Sequence, residues 1–420
     1  MRNATRHLIA CLALAAACGS NKPVPTVPPR PALVDAGEFD PRVDREIARI
    51  FDDPPITGRV PSAITWSPDG AYLAYLRRAA AGDGDPTSEL WVHGMASGRA
   101  RPLVRDREVS VDAFAWAGAE RLVYAADEDL HLIDITGEAR RLTDTESSEA
   151  ALRVSKDGSR AAFVREHDVF AIDLATGAET RVTEDGTAER SYGEVTWVYG
   201  EEFDTAAGLG LSDDGRYLWL YANDESETPH RAVVEDASGE VRRQAYPRAG
   251  EPNPVVRVAA VDLEAPDPAP VWLDTKSDPD VYVPQVRWRP DGALVVTRLD
   301  RLQTLVELLA CDPTTGACAS IYEERDPRWV DLLGPPVFLE DGSFLWISER
   351  DGFAHIYRFE ADGTPRGRIT AGEWVVTAVD HVDEKRGIVY LTGNREGPTT
   401  YGVYRAPLAG SAAGPVARPR

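Results

Sequence analysis

Cysteine is nearly absent from the body of this chain. Of four in 420 residues, two lie at positions 11 and 18, which leaves only Cys311 and Cys318. Positive charge is also short: 46 Lys and Arg face 69 Asp and Glu, a net charge of −23. A surface this acidic is a poor match for nucleic acid or anionic lipid headgroups. It suits cationic ligands such as peptide amino termini, or serves solubility alone. Beyond the amino terminus no run is apolar enough to cross a bilayer. The seven histidines (His7, His93, His131, His167, His230, His355 and His381) sit in no motif that would make one a general base. His355, in RDGFAHIY, reads as structural. Metal-ligand spacings, Gly-rich phosphate loops and the Gly-x-Ser-x-Gly nucleophile elbow are missing. No metal, no cofactor and no elbow serine are therefore expected.

The amino terminus is informative. MRNATRHLIACLALAAACGSN carries Arg2 and Arg6, then an apolar run from Leu8 to Ala17 that is too short to span a membrane and reads as an export signal. It ends in AAAC followed by Gly19 and Ser20, a pattern similar to a bacterial lipoprotein cleavage site. On that reading residues 1–17 are removed and Cys18 becomes the lipidated first residue. Ala15 stands where leucine is commonest, so an ordinary signal with a chance cysteine stays open. Residues 18–32 are Pro-rich, an extended tether, and residues 411–420 read as a disordered tail. The expected location is outside the cytoplasm, membrane-tethered by lipid only, on the periplasmic side or at the outer membrane if the cell is Gram-negative. Export implies an oxidising compartment. Cys311 and Cys318 flank DPTTGA in what reads as two strands and a turn. A cross-strand disulfide, two free thiols or a metal site remain open, the last disfavoured because no histidine is near.

The 34 Gly and 31 Pro are spread along the chain, which points to many turns and short elements. One pattern recurs: a short polar turn ending in Asp-Gly, then an alternating apolar strand. It appears as WSPDGAYLAYL from Trp66, VSKDGSRAAFV from Val154 and LSDDGRYLWLY from Leu211. It returns as WRPDGALVVTR from Trp288 and FLEDGSFLWIS from Phe338, with worn copies from Trp116 and Val382. A second hairpin follows nearly every copy, as in VFAIDLATGAETRVT and IYRFEADGTPRGRIT. Two hairpins make four strands, recurring about every 40 to 50 residues, the signature of an all-β β-propeller. A β-sandwich with shared turn chemistry is the alternative. An extra hairpin is expected from Val255 to Asp274, inside the longest gap. Seven or eight blades of four antiparallel strands then fit within residues 33–410.

Mid-chain, GEVTWVYGEEFDT places Glu201 beside Glu202 behind Trp197 and Tyr199. On a strand the two carboxylates would point to opposite faces; on a short helix or turn they can serve one ligand. An ammonium about 3 Å from a carboxylate gains roughly 5 kcal/mol gross at an effective dielectric near 20, less desolvation. Two solvated acids on a loop is the bland alternative.

VFAIDLATGAETRVTEDG followed by SYGEVTWVYGEEF resembles the amino-terminal propeller of the dipeptidyl peptidase IV family. YPRAGEPNPVVRVAAVDL, YVPQVRWRPDGALVVTRLDRLQTLVELL and FLWISERDGFAHIYRF continue the resemblance, which runs from about Phe51 to about Leu408. It implies an eight-bladed propeller, elsewhere paired with a carboxy-terminal α/β-hydrolase domain that carries a Ser-Asp-His triad and removes dipeptides from peptide amino termini. It implies that Glu201 and Glu202 hold the substrate's free α-amine, with Trp197 and Tyr199 as supporting aromatics. Gly200 departs from the third glutamate or similar polar residue the family usually has there, and Thr196 from the Asp that commonly precedes the Trp. The family's carbonyl-binding arginine is expected between Leu142 and Ser155, in a segment shorter than usual. The resemblance covers the propeller alone, so the expectation is a non-catalytic module that binds peptides with free amino termini. The alternatives are the propeller subunit of a split peptidase with a separate hydrolase chain, and an interaction scaffold of the cell envelope.

Overall fold

A serine builds the recurring Asp-Gly turn. Ser67 donates its hydroxyl to Asp69, Ser155 to Asp157 and Ser212 to Asp214, each at 2.6 Å. Each of these serines also accepts a backbone N–H from the strand that follows, from Tyr72, Arg160 and Tyr217 at 2.9 to 3.0 Å. The turn is thus closed by side chains before any tertiary contact is made, and it delivers the first strand of a sheet to the second. These features are seen in a computed structural model that describes residues 49–50, 58–79, 87–106, 108–234, 239, 241–278, 280–410 and 414–415.

Seven four- or five-stranded antiparallel sheets follow one another along the chain. Sheet 1 runs from Ser62 to Val104, sheet 2 from Val111 to Arg141 and sheet 3 from Ala150 to Arg181. Sheet 4 runs from Arg190 to Trp272, sheet 5 from Val281 to Arg325, sheet 6 from Val337 to Arg368 and sheet 7 from Val376 to Pro415. In sheets 1 to 3 and 5 to 7 the strands pair in chain order, the up-and-down topology of a propeller blade. All seven belong to a compact unit spanning Val60–Arg420. Six buried apolar clusters hold the blades together, each lying between two consecutive sheets. Among the described residues none joins sheet 7 to sheet 1, and the first strand of sheet 1, Ser62–Trp66, is exposed along its whole length. Seven four- or five-stranded sheets are thus counted among the described residues, where the family resemblance implied eight blades.

Two sequence expectations change. Val255–Asp262 and Val271–Trp272 are not an extra hairpin; they are the last two strands of sheet 4. Tyr217–Asp224 pairs with Val255–Asp262 over eight consecutive positions, from Tyr217↔Asp262 to Asp224↔Val255. The inserted hairpin is His230–Val234 with Val241–Ala245, whose alternating exposure marks it as lying outside the blade core. Pattern alone could not tell which of two hairpins pairs with a strand already passed. In the tail, Gly414 and Pro415 pair with Arg405 and Tyr404 rather than trailing free. The signal, Cys18 and the tether lie outside the described residues. No helix among the described residues is long and apolar enough to cross a membrane.

Cys311 and Cys318 stand opposite each other in sheet 5, joined by a disulfide with S–S 2.06 Å. His355 is buried, its ring nitrogens 3.0 Å from Thr370 Oγ1 and 2.9 Å from Gly372 O. Burial lowers its pKa, so it packs as a neutral ring.

Sheets 5 and 6 meet at a turn glycine. Gly363 has φ +84°, and a Cβ there would fall 1.6 Å from the carbonyl oxygen of Ile321. Ile321 is the extra residue of a bulge in the last strand of sheet 5, between partners of Leu308 and Leu309. Gly292 has nearly the same φ, +85°, with nothing within 4 Å of its would-be Cβ. Both Ala variants incur about 1–2 kcal/mol of backbone strain. Gly363→Ala should lose about 1–3 kcal/mol more, because sheet 6 must move off sheet 5. Chemical denaturation of both variants measures the difference; equal losses would show that the seam yields freely.

Candidate functional site

The inner strand of sheet 4 is broken in the middle. Arg190–Tyr192 pairs with one half of Tyr217–Asp224 and Leu209–Leu211 with the other. Only Tyr221 separates the two halves in register, since Tyr192 faces Ala222 and Leu209 faces Leu220. Residues 193–208 leave the sheet at that point and return to it. Tyr221 closes the gap with its own main chain: Gly193 N–H donates to its carbonyl at 2.9 Å, and its N–H donates to Gly208 O at 2.7 Å. The neck is so narrow that a Cβ on Gly208 would sit 2.3 Å from Glu194 O. Glu194 O also accepts from Asn223 Nδ2 at 3.0 Å.

The excursion carries a seven-residue helix, Trp197–Phe203. Little in its sequence favours a helix. Thr196 at the N-cap makes no side-chain cap bond, and its hydroxyl is buried without a partner. No acid stands in the first turn and no base in the last. Helices this short are not stable alone, so tertiary packing must hold it. Tyr199 does so: it is 1% exposed, its hydroxyl accepts Val283 N–H at 2.9 Å, and its ring meets Tyr221, Phe203 and Tyr282 edge-on. Tyr221 donates its own hydroxyl to Val283 O at 2.7 Å. One residue of sheet 5 thus anchors both tyrosines. Asp204 ends the helix in the left-handed conformation, φ 50°, and Thr205 Oγ1 then donates to Pro284 O at 3.1 Å.

With Val198 and Tyr199 turned inward, Gly200, Glu201 and Glu202 are exposed. Glu201 follows Trp197 by four residues and Glu202 follows Val198 by four, so they occupy adjacent stripes of the outer surface. Neither carboxylate has a hydrogen-bond or salt-bridge partner among the described residues. Both stand in the last turn, where the helix dipole disfavours negative charge. Glu202 lines a cavity of about 340 Å³ with Trp197, Phe203, Asn253, Tyr282, Arg248 and Arg301. Glu201 is not among its lining residues. Trp197 packs against Tyr246 at a tilt, with ring centroids 4.2 Å apart, and Asn253 donates to the Tyr282 hydroxyl at 2.8 Å. Tyr199 is therefore a buried support, while Trp197 is a wall of the cavity. Where the side chain of Gly200 would stand, the nearest atom is 3.9 Å away, on Val195. A side chain at that position is thus not excluded sterically. Among the described residues no group of three or more His, Cys, Asp or Glu is placed to hold a metal.

Arg153 is the arginine of the Leu142–Ser155 segment. It lines a separate, larger cavity with Arg287, not the one beside Glu202. Sequence reading also passed over Tyr246 and Tyr282, although both lie in segments that carry the resemblance. A third omission is the acid group just before the helix. Glu194 pairs with His167 Nδ1 at 2.9 Å, and its charge acts on Glu225.

Burial first, then the charge of Glu194, pushes the Glu225 carboxyl up to about 7. A raised folded-state pKa favours the protonated form. Its contribution to stability is present below the ordinary carboxylate range and is lost as pH rises through about 7. Glu225→Gln should therefore gain stability relative to the parent protein between pH 5 and pH 8. Melting curves of both across that range test this; parallel profiles would place the Glu225 carboxyl in ordinary solvent.

Residues 124–416 match the family model described as the dipeptidyl peptidase IV (DPP IV) N-terminal region. The chain is 31% identical over 279 residues to the protein named "Probable dipeptidyl-aminopeptidase B" of Aspergillus oryzae, covering 59% of this chain and 31% of that protein. A protein of the same name in Coccidioides posadasii is 26% identical over 318 residues, covering 68% of this chain and 35% of that one. This chain spans about a third of the length of those relatives. The fold is similar to the crystal structure of Porphyromonas gingivalis dipeptidyl peptidase 4, with TM-score 0.72 and 24% identity over 85% of this chain and 53% of that one. A family match over most of the chain, on an all-β fold of propeller blades, shows that the chain belongs to the dipeptidyl peptidase IV N-terminal region family.

Proposed function

We propose that this propeller captures the free amino terminus of a peptide through Glu201 and Glu202. The observation that carries the reading is the isolation of the pair. Arg165 pairs with Glu149 and Glu179, whereas neither Glu201 nor Glu202 forms an ion pair among the described residues, although Arg248 and Arg301 line the cavity beside Glu202. They stand at the end of the helix least suited to them, on an excursion that interrupts a blade. Local rules broken together in this way mark a functional site. A protonated amine would supply the missing counter-charge, and the Trp197 and Tyr282 rings beside Glu202 offer apolar surface to the first side chain of the peptide.

The role is recognition, linked to proteolysis through the family. Relatives are named as dipeptidyl peptidases, and this chain corresponds to a fraction of their length. The 420 residues contain no Gly-x-Ser-x-Gly elbow, so bond cleavage of that type would draw its serine from another polypeptide segment or a partner hydrolase. A lipid at Cys18 would hold the propeller at a membrane surface outside the cytoplasm, where peptides arrive by diffusion.

Calorimetric titration of the full chain with a short X-Pro peptide tests the reading. Binding should vanish for the same peptide acetylated at its amino terminus. Glu201→Ala and Glu202→Ala should each weaken it by about tenfold or more, a loss of at least ~1.4 kcal/mol. No heat from a folded sample, or equal binding of the acetylated peptide, would overturn amine capture.

A further inference from the structure

The larger cavity measures about 640 Å³ and is built from the inner strands of consecutive blades. Arg153 comes from Ala150–Val154, the first strand of sheet 3, and Arg287 from Val281–Trp288, the first strand of sheet 5. Leu332 to Pro335, leading into sheet 6, completes the lining. First strands line the axis of a propeller, so this cavity lies on that axis.

Two guanidinium groups meet there without a counter-charge. Arg153 donates to Leu152 O at 2.7 Å and to Ala206 O at 2.9 Å; Arg287 donates to Val286 O at 3.0 Å. All three acceptors are main-chain carbonyls. Asp204 is the one acid lining the cavity, and among the described residues neither arginine forms an ion pair with it or with any other carboxylate. Arg165, Arg181 and Arg216 find carboxylates; Arg153 and Arg287 are crowded together in one cavity and do not. Burial, then the charge of Arg287, lowers the pKa of Arg153; burial lowers that of Arg287. Arginine does not shed its proton under such pressure, so both charges persist and repel. Arg287 has substantial accessible surface although protein crowds it, which means that cavity solvent reaches it. Each fork has five N–H donors, more than these carbonyl contacts use.

We propose that this cavity is an oxyanion site in which Arg153 and Arg287 together hold one carboxylate or phosphate group. An oxyanion between two guanidinium forks gains charge-assisted hydrogen bonds and cancels the repulsion between them. The shared chemistry has two sources, a free phosphate or the carboxyl terminus of a peptide. The site goes beyond amine capture and does not depend on it.

Calorimetry on the full chain at constant ionic strength separates the sources. The probes are inorganic phosphate, N-acetyl-trialanine as the free acid, and the same tripeptide as its carboxyl-terminal amide. The acetyl cap removes the amine, so failure of amine capture leaves this result untouched. Saturable binding of phosphate, or of the acid but not the amide, is expected. Arg153→Gln and Arg287→Gln should each weaken it about tenfold or more, and Arg287→Lys, which keeps the charge but loses the fork, should weaken it less. Circular dichroism checks that each variant keeps its sheets, and the lysine variant carries the test if a glutamine variant does not fold. No saturable heat from phosphate or the free acid up to about 10 mM, or unchanged affinity in the variants, overturns the site.

Discussion

The candidate site depends on one opened strand. On its inner side Tyr221 has no strand residue opposite it; its N–H and carbonyl are taken by the two ends of the excursion, Gly208 and Gly193. A buried main-chain group left unpaired would be costly, so a sixteen-residue detour can leave a blade only where both groups are satisfied at its neck. The same residue fixes the detour to the next blade through its hydroxyl on Val283 O, and Tyr199 uses Val283 N–H. The helix is therefore positioned from beneath by two tyrosines and one peptide unit. Its outer face is left free of structural duty, which is where Glu201 and Glu202 stand.

Charge is distributed with the same logic. Many arginines of the blades pair with neighbouring acids: Arg165 with Glu149 and Glu179, Arg358 and Arg366 with Asp341. Against that background the two unpaired sets are conspicuous, an acid pair on the helix and a basic pair in the axial cavity. Phe203 lines both the cavity that holds Arg153 and Arg287 and the one bordered by Glu202. Concentrated charge of one sign without a partner lowers stability, so these two points are where a ligand of opposite charge would gain most.

The repeat was legible because its cause is local. Ser67, Ser155 and Ser212 each close an Asp-Gly turn with partners two to five residues away, so spacing in the sequence is spacing in the structure. The acid pair was legible through the motif around it, and its placement on a short helix followed from the need for both carboxylates to stand clear of the sheet. The inserted hairpin was misplaced because Val255–Asp262 pairs with a strand more than thirty residues earlier, across the inserted His230–Ala245 segment. Arg153 and Arg287 were not legible as a pair at all. They are separated by more than a hundred residues, and each sits in an ordinary strand pattern.

By itself the sequence determined the blade unit, its turns, the acidic surface and the identity of the amine-binding candidates, because all of these are written in contiguous residues whose partners are near in the chain. The tertiary structure alone decided which hairpin belongs to a blade, how Tyr221 opens the strand, which glutamate borders the cavity and which two arginines share the axis. Those depend on how successive sheets pack side by side, and that packing brings distant residues together by burying apolar faces that carry no label for the partner they will meet.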